Sequence, residues 1–433
     1  MQLVSRKSRL KGTVSIPASK SHTIRAVAIA SLARGQSLIR EPLWSGDTEA
    51  AVLCYSAFGA KIDRSSPVGW KVTGIGGRVV PPKETVDVLN SGTTLRVAMG
   101  SAALAEPGQV TTFTGDEQIQ SRPIAPLMQS LEQLGARCVS VNNNGKAPVK
   151  VWGKLKGGRT SIEAFTSQYL SSLLLCTPLA PADSDIDVTL LNEPGYVQMT
   201  LDWLDKQGIK YEHDGLRRFH MRGNQGYKAF DLPVPADFSS ATFFLCAAAL
   251  FGDGVTLKGL DFTDSQPDKK VVDYLRAMGA DITTSPDSIT VKGGSLKGVT
   301  IDMNETPDAL PAMAVTAAYA EGTTKLVNVP QARSKETDRI KCVAEELTKM
   351  GGKVEELPDG LVVHHSKLKA AHLDGRADHR IVMALSLAAM GLNKPCTIET
   401  AEAIKVTFPE FVTLMQSLGA DMELASDKPG DKL

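Results

Sequence analysis

The stretch Tyr274 to Gly293, YLRAMGADITTSPDSITVKG, decides how the rest of the chain is read. An amphipathic helix ends on a large apolar residue, Met278, and is followed by Gly279 and Ala280. Two short alternating segments, DITT and SITVKG, then read as strands. A glycine just past the last helical residue suits a left-handed cap, and a small residue beside it lets the next strand turn back closely. The same signature recurs at Phe58-Gly59-Ala60, Leu134-Gly135-Ala136, Gln207-Gly208-Ile209, Met350-Gly351-Gly352 and Leu418-Gly419-Ala420. Six copies about 70 residues apart are an internal repeat, and a repeat sets the architecture before any local element does.

Each repeat holds an earlier helix upstream of the one that ends in glycine. These begin near Lys20-Ser21, Ser91-Gly92-Thr93, Thr166-Ser167-Gln168, Asp237 to Ser240, Pro307-Asp308 and Asp378-His379-Arg380. The stretches that follow, such as FFLCAAAL and IVMALSLAAMG, are apolar on nearly all sides, which predicts buried helices. The second helices are amphipathic and belong outside. The unit is an α+β module of two helices and several strands, and six units grouped three and three make two similar domains. Leu232-Pro233-Val234-Pro235 is a stiff crossing between the halves. The strand ahead of Pro17 could serve either half. Its return to the second half would cover an open sheet edge, and the expected division is residues 1–17 with 236–433, and residues 18–235.

A chain of 433 residues exceeds one ordinary core. Its 42% hydrophobic and 22% charged residues describe a globular protein and not a disordered one. The 48 basic and 48 acidic residues cancel, so no global field favours nucleic acid or an anionic membrane, and any anion site must be local. Phe243 to Phe251 and Ile381 to Met390 are about half the length that a membrane span needs. The six cysteines lie far apart without a CxxC pair, and the seven histidines show no HxxxH or HExxH spacing. The expectation is a cytoplasmic protein with reduced cysteines, no metal and no cofactor.

The helix starts carry the chemistry. In PASKSHTIR, Pro17 to Arg25, a short strand runs through a tight turn into an apolar-periodic helix with Lys20, Ser21 and Arg25 at its start. Taken alone, this reads as a serine cap with two solvated charges. Comparison among the repeats changes that reading. Several starts carry Lys or Arg: Lys20, Arg122, Lys335, Arg339, Arg380 and a region containing Lys405. A cation there opposes the helix dipole at a cost of about 0.3 to 1 kcal/mol, which a bound anion would offset. In KETDR, Lys335 and Arg339 stand i, i+4 and are expected to share one helix face with Glu336 slightly offset. Cations grouped with two carboxylates, Asp308 and Glu336, could move protons beside bound anions. Gly92 would permit close backbone approach to such an anion. His379 reads as a structural residue, and Asp47, Asp237, Ser239 and Ser240 as caps.

Seven segments in order, PASKSHTIRA, LNSGTTLR, Ser121-Arg122-Pro123, TSQYLSSLL, ETPDALPAMA, SKETDRI and ADHRIVMA, resemble the 5-enolpyruvylshikimate-3-phosphate synthase family over essentially the whole chain. The resemblance implies an α+β fold of two similar domains, each of three βαβαββ repeats around a pseudo-threefold axis as an inside-out α/β barrel. The active site would lie in the interdomain cleft. The implied reaction transfers the enolpyruvyl group of phosphoenolpyruvate to the 5-hydroxyl of shikimate 3-phosphate, releasing phosphate through a tetrahedral intermediate, on the route to chorismate and the aromatic amino acids. It further implies that Asp308, Glu336 and Lys20 are catalytic. Shikimate 3-phosphate would be bound by Lys20, Ser21, Arg25, Thr166, Ser167, Gln168, Asp308, Gln331 and Lys335. Phosphoenolpyruvate would be bound by Lys20, Gly92, Arg122, Gln168, Arg339, Arg380 and Lys405. The working form would be a monomer.

Three positions depart from the family pattern. Where a serine usually precedes the tyrosine aligned with Tyr196, this chain reads Asn192-Glu193-Pro194-Gly195, which sets an acid near the expected phosphate. Gln331 stands where asparagine is usual, and Lys405 lies one residue further from Phe408-Pro409 than the family lysine. Two rival readings remain at this stage. UDP-N-acetylglucosamine enolpyruvyl transferase shares the fold but commonly carries a reactive cysteine ahead of the Arg-Pro, and GDEQIQSRP has none. A non-catalytic repeat binding protein would scatter its cations over the outer surface.

Overall fold

The computed structural model describes residues 1–426. All six signature glycines take the left-handed backbone, from φ +70° at Gly208 to +105° at Gly135. The residue after the glycine donates its N–H to the carbonyl five residues back at Ala60, Ile209, Ala280, Gly352 and Ala420. That bond closes the helix end by satisfying an orphan carbonyl, and it releases the chain into a strand. Every other residue type would be strained at this φ, which is why glycine marks the repeat.

Among the described residues the strands form six four-stranded sheets on one plan. Gly158–Ala164 runs parallel to Ser184–Leu191, with the helix Ser167–Cys176 as the crossover that a parallel pair requires. Ser184–Leu191 then pairs antiparallel with Arg218–Met221, which pairs antiparallel with Tyr211–Asp214. Val86–Asp87 and Thr300–Asp302 open two further sheets of this order. The remaining three are completed by strands distant in sequence. Asp231–Pro233 lies parallel to Gln36–Arg40, and Leu10–Ser15 lies parallel to Gly252–Lys258. Gln2–Ser5 sits between Cys396–Glu399 and Met422–Ala425. Both N-terminal strands therefore serve sheets built from the second half of the chain.

The chain divides into two compact units, Met1–Pro17 with Pro235–Leu433, and Ala18–Val234. Each has its own core. Phe238, Phe243, Phe244, Phe408 and Phe411 pack in the first, and Tyr55, Phe58, Trp70, Phe113 and Trp203 in the second. Each fully buried Phe or Leu contributes about 1.5 to 3 kcal/mol of burial free energy. The apolar helices are the buried ones: Lys20–Leu32, Gly92–Ala102 and Ser167–Cys176 in one unit, and Phe238–Phe251, Leu310–Tyr319 and His379–Ala389 in the other. Within each unit these helices pack on one another, so their N-terminal polar residues are held by a solid core. All six cysteines are free and buried.

Two helix boundaries differ from the expected ones. KETDR is not helical through its length: a 3-10 turn, Pro330–Ser334, runs into a bend, and the helix begins only at Arg339. Asp338 takes the N-cap and accepts from the Lys341 N–H, so Lys335 and Arg339 do not share a helix face. Likewise Arg122 closes the short helix Glu117–Ser121, and the outer helix starts at Ala125, because Pro123 fits a turn and Pro126 the first helical turn better than a helix interior.

Candidate active site

In the unit Ala18–Val234 the helix starts are linked side chain to side chain. Ser19 caps the first buried helix by accepting from the His22 N–H, which leaves Lys20 as its first residue. Lys20 Nζ lies 3.0 Å from Asp47 Oδ2, and the Asp47 side chain is only 4% exposed. Asp47 is therefore a counter-ion and not a cap. Ser45 caps that helix in a reciprocal box with Thr48, which leaves the Asp47 carboxylate available for Lys20. Asp237 does cap its helix, accepting from the Ser240 N–H and hydroxyl, whereas Ser239 and Ser240 fall inside the helix.

Gly92 opens the next buried helix behind the Ser91 cap. A Cβ placed on Gly92 would lie 2.4 Å from Arg96 Nη1 and 2.6 Å from Arg122 Nη1, so two guanidiniums crowd one helix start. Arg96 donates to the Gly92 carbonyl at 3.0 Å and to the Pro123 carbonyl at 3.4 Å. The Tyr169 hydroxyl donates to the same Pro123 carbonyl at 2.5 Å. Arg96 and Tyr169 thus pin Pro123, the residue that follows Arg122. Gln168 Nε2 reaches Thr93 Oγ1 at 3.1 Å and joins the third buried helix to this group.

Arg25 is buried among neutral acceptors: Thr200 Oγ1 at 2.9 Å, the Ser21 carbonyl at 3.0 Å and the Tyr196 carbonyl at 3.0 Å. Burial pushes its guanidinium down to about 10, and the charge persists at neutral pH. A buried cation served by neutral dipoles gains strongly when an anion arrives. Beside it, Thr166 caps the helix Ser167–Cys176. The carboxylate of Glu193 accepts from the Ser167 N–H at 3.0 Å, the Ser167 hydroxyl at 2.7 Å and the Thr166 hydroxyl at 3.2 Å.

The other unit contains a second cluster centred on Arg339. Its Nε donates to Asp378 Oδ2 at 2.8 Å, its Nη1 to Asp308 Oδ1 at 2.7 Å and its Nη2 to Glu336. Arg380 Nη2 lies 3.2 Å from Asp308 Oδ2, and Lys335 Nζ lies 4.0 Å from Asp308 Oδ1. Burial alone would loosen the Arg339 proton, but Asp378, Glu336 and Asp308 more than reverse this and hold the guanidinium charged. Burial likewise opposes ionisation of Asp378, and Arg339 overcomes it, leaving the carboxyl below its usual range. Asp378 also caps its helix by accepting from the Arg380 N–H at 2.9 Å. Burial drives His379 down to about 3, so its imidazole is neutral and serves the packing. Exposure grades outward through the cluster. Asp378 and Arg339 are 0% and 1% exposed, whereas Glu336 and Asp308 are 10% and 17% exposed. The two carboxylates expected to handle protons are the accessible ones.

Two expected residues stand apart from these groups. Gln331 is buried and donates to the Asn304 carbonyl at 2.8 Å. Lys405 lies in the 3-10 turn Ala401–Val406, exposed, and makes no hydrogen bond or ion pair with the described residues. Conversely, Asp47, Arg96, Tyr169 and Asp378 belong to the clusters although the sequence reading gave them no site role. Arg96 could have been found, since it follows Gly92 at i+4 on the same helix face.

Comparison with known proteins agrees with this geometry. A family model described as EPSP synthase (3-phosphoshikimate 1-carboxyvinyltransferase) matches residues 4–415. A 3-phosphoshikimate 1-carboxyvinyltransferase from Acetivibrio thermocellus is 51% identical, covering 98% of this chain and 99% of its own. The protein of the same description from Ruminiclostridium cellulolyticum is 48% identical, over 98% of this chain and all of its own. Among solved structures, an EPSP synthase from Acinetobacter baumannii superposes with a TM-score of 0.82 at 25% identity, over 98% of this chain and 100% of that one. Matched along nearly its whole length by the family model and by relatives about half identical to it, the chain belongs to the EPSP synthase family.

Proposed function

We propose that this transferase moves the enolpyruvyl group of phosphoenolpyruvate onto the 5-hydroxyl of shikimate 3-phosphate, releasing inorganic phosphate. The observation that carries the reading is the meeting of Arg96 and Arg122 at Gly92. Two cations brought to a helix start repel each other and the dipole, and an anion between them turns both costs into attraction. Lys20, Gly92, Arg122, Gln168, Arg339, Arg380 and Lys405 bind phosphoenolpyruvate. Lys20, Ser21, Arg25, Thr166, Ser167 and Gln168, with Asp308, Gln331 and Lys335, bind shikimate 3-phosphate.

In the addition step Asp308 takes the proton of the 5-hydroxyl as its oxygen bonds to the central carbon of phosphoenolpyruvate. Glu336, assisted by Lys20, places a proton on the methylene carbon. Elimination removes a proton from the new methyl group and breaks the carbon–oxygen bond to phosphate, which restores the double bond. Arginines fixed in advance stabilise the departing phosphate without having to reorganise. Lys405 joins this set through the family resemblance alone, its exposed side chain being bonded to no described residue. Among the described residues no helix is long and apolar enough to cross a membrane. We place the working enzyme in the cytoplasm as a single chain, as the family resemblance implies.

The test is phosphate release from phosphoenolpyruvate with shikimate 3-phosphate, set against UDP-N-acetylglucosamine as acceptor. Turnover with the first acceptor alone is expected. Turnover with the second alone, or with neither, defeats the reading. A substitution at Gly92 gives an independent check. The methyl group of Gly92→Ala meets the far ends of Arg96 and Arg122 at 2.4 and 2.6 Å, so these side chains must withdraw. The expected result is a rise in KM for phosphoenolpyruvate of about tenfold or more, from loss of one or two charge-assisted hydrogen bonds. The melting temperature, read on the same preparation, should fall by only a few degrees, because the clash is with side-chain ends and not with backbone. An unchanged KM would show that the two guanidiniums do not bind that substrate.

A further inference from the structure

Glu193 is built into its place with unusual care. Its backbone is left-handed, φ +58° and ψ +47°, directly ahead of Pro194, where a proline favours extended backbone in the residue before it. It occupies the N-cap position of the helix Pro194–Lys206 yet makes no side-chain cap there. The side chain crosses instead to the start of the neighbouring helix, where it is 2% exposed and takes the Ser167 N–H, the Ser167 hydroxyl and the Thr166 hydroxyl. Asn192 fixes the loop from below, with its N–H on the Ala164 carbonyl at 3.1 Å and its Nδ2 on the Phe165 carbonyl at 3.0 Å. The same loop is tied to Arg25, whose Nη2 donates to the Tyr196 carbonyl while the Tyr196 N–H donates to the Glu193 carbonyl at 3.1 Å.

These donors are the ones assigned above to the phosphorylated acceptor, so the inference rests on that reading. A helix N–H and two hydroxyls suit a phosphate, and a second anion cannot share them at hydrogen-bond distance without strong repulsion. We propose that Glu193 is an internal anion holding the seat of the acceptor's phosphate, which the substrate must win from it, and that this carboxylate sets the affinity for phosphorylated acceptors. The strained backbone favours the exchange, because release of the side chain lets residue 193 relax. The loop's tie to Arg25 means that the anion bound by Arg25 and the departure of Glu193 are felt by the same few residues.

The test uses the full chain in four forms: wild type, Glu193→Gln, Glu193→Ser, and Glu193→Gln combined with Ser167→Ala. Titration calorimetry reads the affinity for inorganic phosphate and, separately, for shikimate 3-phosphate. Removing a charged competitor for three donors is expected to tighten both anions by about tenfold to a hundredfold in either single variant. The gain should vanish when Ser167 is also lost. In the two single variants KM for phosphoenolpyruvate should stay within about twofold, a split that a merely structural role would not produce. Equal or weaker binding of both anions in both single variants would overturn the proposal and make Glu193 a support for the site. Should phosphate tighten while shikimate 3-phosphate binds none of the four proteins, the internal anion stands and the acceptor assignment falls.

Discussion

Replacing Arg339 by methionine is expected to destabilise the unit that contains it by about 3 to 5 kcal/mol, the cost of leaving buried charge without its partner. The guanidinium is 1% exposed and serves Asp378, Asp308 and Glu336 together, and Asp378 is wholly buried. Methionine fills much of the volume, so the loss reports charge and hydrogen bonding more than a cavity. The pH dependence separates the two. In the native protein the Asp378 carboxyl is held below its usual range, so its contribution is complete above the pKa it has when unfolded and fades as the pH falls through the lower folded value. In the variant that carboxyl has lost its cation, and protonation relieves it. The difference in stability should therefore be largest near neutrality and shrink toward acid. Urea unfolding at about pH 7 and about pH 4 measures this. A difference under about 1 kcal/mol at neutrality, or one that grows in acid, would show that Arg339 is not the cluster's keystone.

The same cluster shows what the sequence makes legible and what it conceals. The repeat was readable because one backbone requirement, a positive φ after each outer helix, can be met cheaply only by glycine, and the six copies from Gly59 to Gly419 all meet it. The buried helices were readable from their all-round apolar character. Asp308, Glu336, Arg339 and Arg380 were readable as a group because cations at helix starts run against the dipole. The partners were harder. Asp378 is an N-cap, but its second oxygen serves Arg339, a pairing across 39 positions that no local pattern announces. Asp47 reads from sequence as the cap itself, but Ser45 takes that place and the Asp47 carboxylate goes to Lys20. The helix face assigned to KETDR failed because i, i+4 spacing has meaning only inside a helix, and Asp338 delays that helix to Arg339. Glu193 reads from sequence as an acid near an expected phosphate, but no local pattern shows that its carboxylate already sits on Ser167.

Asp308→Asn is expected to lower kcat by about a hundredfold to ten-thousandfold, the range that removal of a general base commands, while Kd for shikimate 3-phosphate stays within about threefold, one charged contact among many being replaced by a neutral isostere. The structure gives reasons for separating chemistry from binding here. Asp308 stands in the 3-10 turn Pro307–Ala309 that feeds a fully buried helix, so its backbone cannot shift far when the side chain changes. One oxygen meets Arg339 Nη1 and the other meets Arg380 Nη2, and the amide of asparagine can keep only one of those contacts as an acceptor. Losing the negative charge leaves Arg339 and Arg380 with less internal compensation, so affinity for phosphoenolpyruvate should hold or rise even as turnover collapses. That opposition is the useful signature, since a variant damaged by general misfolding would lose affinity and rate together. Binding titrations of both substrates, steady-state kinetics and a urea transition on one preparation resolve the cases. A kcat within about fivefold of the native value would remove Asp308 as the base and leave Glu336, joined to the same guanidinium, as the carboxylate to test next.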